Sequence, residues 1–236
     1  MAGYIHVMML PWSAFGHLIP FFNLSVALAK AGVRVSFVST PRNIKRLPKV
    51  PPNIENLIDL LTFPLPILDK ELLPEGCEAT MDVPSEKIEY LKTAYDLLRN
   101  PVKQFISDQR PDWIFIDFIS YWVAEIAQEL KIPLLVYRVF SACQLAFMGH
   151  PESLVGDGHK RRRPSPESLT SPPEWGDFPS PVAYRSLEAI IKDFMNRMLL
   201  VSEILKGFIN VFRHVKVLLY VAALNTKENT LIYVRR

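Results

Sequence analysis

The chain has few of the residues that build metal centres or disulfide frameworks. It holds two cysteines in 236 residues, Cys77 and Cys143, and neither has a partner cysteine or histidine at metal-ligand spacing. Two cysteines in a chain of this length are also too few for a disulfide scaffold, which favours a reducing compartment. We therefore expect a cytoplasmic protein without a cysteine-based metal site.

Glycine is scarce where a dinucleotide would be held. The segment Trp12–His17, directly after the first predicted strand, contains one glycine, Gly16. A dinucleotide-binding loop needs the three glycines of G-x-G-x-x-G for its tight turn and its contact with the pyrophosphate. A nicotinamide or flavin enzyme is disfavoured, and we expect no bound cofactor.

Strong charge of either sign and long apolar runs are also missing. The net charge is +3, with no basic stripe interleaved with aromatics, so no nucleic acid partner is expected. The one dense basic run, Lys160–Arg163, is either a targeting or anionic-surface patch or, as isolated runs usually are, a solvated loop. No stretch reaches the ~20 apolar residues of a transmembrane segment. The run Ile5–Leu10 is too short for a secretory signal and lacks a basic region before it.

Short apolar runs alternate with segments of helical periodicity. Strands are predicted at residues 5–10, 33–38 (by alternation), 57–63, 113–116 and 132–140. Helix faces are predicted from Leu24, Ala27, Leu28 and Ala31, from Ile88, Leu91, Tyr95 and Leu98, and from Val123, Ile126, Ala127 and Leu130. Ser85 is a candidate N-cap, Gly32 a helix-ending residue, and Pro101 a helix breaker. This alternation predicts an α/β protein with a Rossmann-like, doubly wound, mostly parallel sheet.

In the second half of the chain, the regular alternation of predicted strands and helices ends. Residues 150–181 form a long loop rich in proline and serine, and a helix is predicted from Tyr184 to Asn196. We expect one domain at residues 1–196, followed by a divergent tail at residues 197–236. Phe147 and Trp122 occupy helical positions at which core packing is the usual role.

Two polar signals fall at the carboxyl ends of predicted strands, where open parallel sheets bind ligands. His17 ends the loop Trp12–His17, and Asp117 follows strand 113–116 directly. A carboxylate can orient an imidazole and stabilise its charged form while the other ring nitrogen takes a proton from a hydroxyl. Spacing alone leaves alternatives open, since a lone histidine often lies on a surface or at a helix end, and Asp117 could cap the following helix.

Three segments carry a resemblance to a known family. They are Ile5–Pro20 (IHVMMLPWSAFGHLIP), Pro111–Phe118 (PDWIFIDF) and Pro179–Ser186 (PSPVAYRS). Together they resemble plant UDP-dependent glycosyltransferases, and the last two segments are most similar to the subgroup that adds a further sugar to flavonoid or triterpenoid glycosides. The resemblance runs from about residue 4 to about residue 194.

The resemblance implies a fold and a set of roles. The family has the GT-B architecture, in which an N-terminal Rossmann-like domain binds the acceptor and a C-terminal one binds the UDP-sugar. His17 matches the general base and Asp117 its partner, while Ser13 and Gly16 match the loop against acceptor and donor phosphate. Ser141 matches a residue near the donor sugar. Apart from the resemblance, Phe15 and Phe118 are expected to flank the proposed site and could line an apolar acceptor pocket. The implied reaction is an inverting displacement without a metal, in a monomer whose partners are a small acceptor and a UDP-sugar.

The sequence also departs from the family. The family's donor signature is absent, so we expect the N-terminal half alone, inactive without a donor domain. Residues 197–236 are either a gene-model artefact or a divergent natural tail. The alternatives are a non-catalytic fragment that binds acceptors or a partner, and an unrelated Rossmann-like enzyme. The acceptor and the transferred sugar stay undetermined.

Overall fold

The first five strands along the chain are short and mostly apolar. In the computed structural model, which describes residues 4–140, 147, 165–172, 183–190, 217–221 and 232–233, the strands are β1 (His6–Leu10), β2 (Arg34–Ser39), β3 (Ile58–Thr62), β4 (Trp113–Ile116) and β5 (Leu134–Arg138). All neighbouring pairs are parallel, in the order β3-β2-β1-β4-β5. The predicted Rossmann-like parallel sheet is confirmed.

The sheet is buried on both faces at its centre. The strand predicted at residues 33–38 is confirmed as β2, but its burial does not alternate, because every residue after Arg34 is buried. The reason is position, because β2 lies inside the sheet between β1 and β3, and inner parallel strands are covered on both faces. Fully buried Met8, Phe37 and Ile114 form part of this core.

Five helices connect the strands. They are α1 (Phe15–Lys30), α2 (Pro41–Arg46), α3 (Ile88–Asp96), α4 (Arg99–Gln109) and α5 (Val123–Leu130). Short 3-10 turns occur at Pro52–Leu57, Thr80–Asp82, Ser85–Lys87, Phe118–Ser120 and Glu167–Thr170. The predicted α5 face is confirmed, since Val123, Ile126 and Ala127 are buried.

Helix α1 buries a different stripe from the predicted one. Its buried residues are Leu18, Phe21, Phe22, Ser25 and Ala29. In the predicted set, by contrast, Leu24 and Leu28 are half-buried and Ala27 and Ala31 are exposed. The helix is apolar on more than one side, and the largest side chains decide which side faces the sheet. Phe21 packs edge-on against Tyr137, and Phe22 against Phe37. Gly32 ends the helix with φ +85°, as predicted.

A proline separates α3 from α4. Pro101 is the third residue of α4, and its ring excludes the carbonyl of Leu97, four residues earlier, from helical geometry. The helix therefore breaks at Leu97–Leu98, which confirms the predicted breaker. Ser85 is not the N-cap, because it begins a 3-10 turn and α3 starts three residues later, with Lys87 as its N-cap. Helix α4 was not predicted.

The chain divides into two compact units. The first comprises Met1–Val139, Val215–Leu219 and Val234–Arg236, and the second Phe140–His214 and Tyr220–Tyr233. In the second unit, Phe147, Leu169 and Ala189 form a small core with Tyr184 packed against it. Phe147 is 2% exposed and, in the first unit, Trp122 is 3% exposed, so both have the predicted core role.

The predicted tail is described only in part. It contains two strands, β6 (Val217–Val221) and β7 (Ile232–Tyr233), which pair antiparallel. Residues 186–190 are helical, at the start of the helix predicted from Tyr184. The predicted boundary at residue 196, most of the loop 150–181 and the basic run Lys160–Arg163 lie outside the described residues and stay predictions.

Candidate active site

The candidate site lies where β1 and β4 end side by side. The two strands pair in register, with Leu10 opposite Ile116. The chain leaves β1 through Pro11 and turns into α1, while β4 leads directly to Asp117. Two segments about 100 residues apart in sequence therefore meet at the carboxyl edge of the sheet, as the sequence predicted.

His17 and Asp117 are in direct contact. The Nδ1 atom of His17 lies 2.6 Å from Oδ2 of Asp117. The carboxylate side chain is 1% exposed and the imidazole 15% exposed, so the ring reaches the surface and its partner does not. An ionised carboxylate can only accept, so Nδ1 donates to Asp117, and in the neutral ring Nε2 then holds the lone pair. This is the tautomer that a proton-accepting histidine needs.

The Asp117 carboxylate is held by the backbone of both segments. Its Oδ1 accepts the Phe118 N–H at 2.7 Å, and its Oδ2 accepts the Trp12 N–H at 3.2 Å. The first bond caps the 3-10 turn Phe118–Ser120. Both roles considered for Asp117 are thus present in one carboxylate, a turn cap and a partner of His17.

Three of the predicted site residues form the first turn of α1. Phe15, Gly16 and His17 were expected in a loop, but the helix begins at Phe15 and its first hydrogen bonds return to the Ala14 carbonyl. Helical geometry fixes the His17 backbone more tightly than a loop would. Gly16 is exposed, and a Cβ added there would meet no atom within 4 Å, so nothing in the structure itself requires glycine.

Ser13 supports the turn and is buried. It is 1% exposed, and its carbonyl accepts the Thr80 N–H at 2.9 Å. Thr80 begins the 3-10 turn Thr80–Asp82. Asp82 of this turn forms a bidentate salt bridge with Arg46 of α2, with N–O distances of 2.7 and 3.0 Å. This pair lowers the pKa of the Asp82 carboxyl against the opposing effect of burial, and raises that of Arg46.

The two predicted aromatic residues, Phe118 and Phe15, each lie close to an arginine. The Phe118 ring lies 5.8 Å from the His17 ring, between centroids. The Arg138 guanidinium, at the end of β5, lies 5.3 Å from the Phe118 centroid, and that of Arg46 lies 6.0 Å from Phe15. The sequence did not predict either arginine, because no local pattern links Arg46 or Arg138 to these rings. The role of Phe15 and Phe118 in lining an acceptor pocket stays a prediction.

The structure brings together six of the seven predicted site residues. His17, Asp117 and Phe118 are in mutual contact, and Ser13, Phe15 and Gly16 lie on the turn that leads to His17. Ser141 lies outside the described residues. Within the described residues, no group of three or more His, Cys, Asp or Glu side chains could hold a metal ion. No helix in that part of the chain has the length and hydropathy to cross a bilayer.

The fold and the paired histidine and aspartate define a class. A Rossmann-like parallel sheet with this pair at its carboxyl edge is the arrangement expected for the N-terminal domain of a GT-B glycosyltransferase. Comparison with solved structures supports the fold. The structure of UGT73P12 from Glycyrrhiza uralensis, complexed with glycyrrhetinic acid 3-O-monoglucuronide, aligns with 93% of this chain and 44% of that chain, at a TM-score of 0.61 and 20% identity. UGT89C1 of Arabidopsis thaliana aligns with 62% of this chain and 37% of that chain, at a TM-score of 0.53 and 23% identity.

Sequence relatives confirm the resemblance to plant UDP-glycosyltransferases. UDP-glycosyltransferase 91C1 of Arabidopsis thaliana is 44% identical over 181 residues, which are 77% of this chain and 38% of the relative. Soyasaponin III rhamnosyltransferase of Glycine max is 39% identical over 184 residues, or 78% of this chain and 37% of that protein. No family model matches the chain. The chain thus spans about two fifths of the length of these relatives.

Proposed function

We propose that this chain is the acceptor-binding part of a UDP-dependent glycosyltransferase, with His17 as general base. The observation that carries the proposal is the 2.6 Å contact between His17 Nδ1 and a buried Asp117 carboxylate, at the sheet edge where such domains bind ligands. The names of the sequence relatives support the reaction class.

The proposed reaction uses both nitrogens of the ring. Nε2 takes the proton of an acceptor hydroxyl as its oxygen attacks the anomeric carbon of the UDP-sugar. The bond from that carbon to the diphosphate breaks, UDP leaves with the electron pair, and the configuration inverts. Asp117 stabilises the imidazolium that forms, and the reaction needs no metal.

The proposed acceptor is a flavonoid or triterpenoid glycoside. Phe118 offers an apolar ring 5.8 Å from the His17 ring, between centroids, and we propose that it and Phe15 line a site for a flat, largely apolar aglycone. Two relatives fit this class by name, the soyasaponin enzyme and an anthocyanidin-3-O-glucoside rhamnosyltransferase of Petunia hybrida, 30% identical over 208 residues. We further propose a cytoplasmic location and a monomeric state.

The test of the base needs a complete enzyme. A hybrid would join residues 1–196 of this chain to the remaining part of the soyasaponin relative, with turnover measured on a panel of flavonoid and triterpenoid glycosides. The change His17→Ala is expected to lower kcat by ~10²–10⁴, the usual contribution of a positioned base.

A second histidine provides the control. His6 lies on β1, with its Nε2 2.8 Å from Ser36 Oγ and away from Asp117. The change His6→Ala should leave kcat within about threefold of the parent, since it removes no proposed catalytic group. Near-parental turnover of the His17 variant would refute the base assignment. A hybrid that binds glycosides but never transfers sugar would favour the second candidate, a non-catalytic acceptor-binding protein.

A further inference from the structure

Tyr95 lies buried behind the two segments that carry His17 and Asp117. Its ring packs edge-on against Trp12, with centroids 5.1 Å apart. Its hydroxyl lies 3.0 Å from the Pro11 carbonyl oxygen and 2.7 Å from Ser120 Oγ. Pro11 follows β1 and Ser120 belongs to the turn after Asp117, so one side chain on α3 contacts both segments.

The direction of these two hydrogen bonds is fixed by chemistry. A carbonyl oxygen only accepts, so the single hydroxyl proton of Tyr95 goes to Pro11, and the Ser120 hydroxyl donates to the Tyr95 oxygen. Burial raises the pKa of the Tyr95 hydroxyl far above its ordinary range, against the lowering effect of the hydrogen bond with Ser120, and the nearby carboxylates of Asp117 and Asp96 add to the rise. The hydroxyl therefore keeps its proton throughout the physiological pH range.

The Pro11 carbonyl and the Trp12 N–H belong to one peptide group. That N–H donates to Oδ2 of Asp117, the same oxygen that accepts His17 Nδ1. Since a peptide group is planar and rigid, holding its carbonyl end also sets the direction of its N–H. A continuous path of hydrogen bonds thus runs from Ser120 through Tyr95 and the Pro11–Trp12 peptide to the carboxylate.

We propose that Tyr95 is a positioning residue for the His17–Asp117 pair. Its hydroxyl orients the Pro11–Trp12 peptide and the Ser120 turn, and through them the carboxylate that sets the histidine tautomer. A phenylalanine would fill nearly the same volume without the cost of burying a hydroxyl, so the hydroxyl is there for its bonds. The catalytic meaning of this inference rests on the proposed function, whereas the geometry does not.

The test measures the His17 ring directly in the full 236-residue chain. In Tyr95→Phe, the Nδ1 proton of His17, followed by NMR, is expected to exchange with solvent about tenfold faster, the factor that one net hydrogen bond provides. The fraction of ring in the Nδ1–H tautomer should fall as well. A residue that only fills space would change the melting temperature without changing the tautomer.

Tyr137→Phe is the matched control. Tyr137 is also buried and packs edge-on against Phe21, but it lies on β5. Its variant should keep the exchange rate of the parent. Ser120→Ala serves as a second variant, which retains the Tyr95 ring and removes one of its two bonds. It should give a smaller acceleration, of about two- to threefold. The proposal would be overturned if the His17 Nδ1 proton of Ser120→Ala exchanged at the parental rate and Tyr95→Phe either also showed the parental rate or failed to fold.

Activity of the hybrid enzyme separates this inference from the proposed function. There, Tyr95→Phe should lower kcat about tenfold with little change in the acceptor KM, because it misaligns the base without touching the substrate. If His17→Ala keeps its turnover while Tyr95→Phe accelerates exchange, the proposed function fails and the positioning role stands. If His17→Ala is inactive and Tyr95→Phe matches its parent in exchange and kcat, the positioning role fails alone.

Discussion

At the scale of single residues, the carboxylate of Asp117 connects three parts of the candidate site. It accepts from the His17 ring and from the Phe118 and Trp12 N–H groups, while being almost wholly buried. A buried acceptor with three donors is costly to alter, because any donor left without it loses its partner. Replacing this carboxylate with an amide therefore tests what the carboxylate does for His17.

Asp117→Asn should impair the histidine more than the fold. An amide presents an NH₂ group that can donate to Nδ1, which would move the ring proton to Nε2 and remove the proton acceptor. We expect a loss in kcat of ~10²–10⁴ in the hybrid enzyme, and a change of tautomer by NMR. Asp112→Asn is the control, because Asp112 directly precedes β4, at the end of the strand opposite Asp117, and accepts the His6 N–H at 2.7 Å. Parental kcat in Asp117→Asn would exclude the carboxylate from the mechanism.

Gly16 allows the needs of folding and of binding to be separated. Since a Cβ there meets nothing and alanine favours helix, Gly16→Ala should raise the free energy of unfolding by ~0.5–1 kcal/mol. If a ligand lies against this turn, the same variant should lose about tenfold or more in kcat/KM of the hybrid. Gly32→Ala should behave oppositely, with a loss of ~1 kcal/mol in stability at φ +85° and unchanged activity. Full activity in Gly16→Ala would remove Gly16 from the binding surface.

At the scale of elements, α1 both supports the sheet and carries His17. Its buried stripe differs from the predicted one, and this difference gives a quantitative expectation. Leu18→Ala should destabilise by ~2–5 kcal/mol, because Leu18 is fully buried. Leu24→Ala, the same change at a half-buried position, should cost well under half as much. Chemical denaturation measures both, and equal losses would show that the predicted stripe also packs.

The elements that the sequence predicted are those with a strong local signal. Strand β4 was predicted with its bounds intact because four apolar residues end at a charged one. The pairing of His17 with Asp117 followed from a rule about parallel sheets and from family resemblance. Tyr95 was predicted only as an apolar member of a helix face, because the two partners of its hydroxyl are 84 and 25 residues away in sequence. Such contacts depend on how helices settle on the sheet, which periodicity does not encode.

At the scale of the whole molecule, the chain corresponds to about two fifths of its relatives. In the proposed enzyme, the nucleotide supplies most of the donor's binding energy and holds the anomeric carbon in line with the acceptor. Such positioning can lower a barrier by ~7–11 kcal/mol. We therefore expect residues 1–236 alone to transfer no sugar at a useful rate.

Calorimetry with UDP and a UDP-sugar on the 236-residue chain tests this expectation. No saturation should be seen at micromolar nucleotide, whereas an acceptor glycoside should bind weakly to the site at the carboxyl edge of the sheet. The hybrid enzyme serves as the positive control for nucleotide binding. Micromolar affinity for UDP in the 236-residue chain, or turnover of about one per second, a rate ordinary enzymes reach, would show that these residues already hold a donor site.

The strand order has a consequence for biosynthesis. Strand β1 emerges first from the ribosome yet ends at the centre of the sheet, between β2 and β4. One edge of β1 can pair with β2 early in synthesis. The other edge of β1 stays unpaired until residues 113–116, which form β4, have been made. During that interval, an apolar strand with an unpaired edge is open to other nascent chains and to chaperones. His17 cannot contact Asp117 before β4 has paired with that edge. The His17–Asp117 pair therefore forms only in chains that have avoided aggregation during this interval.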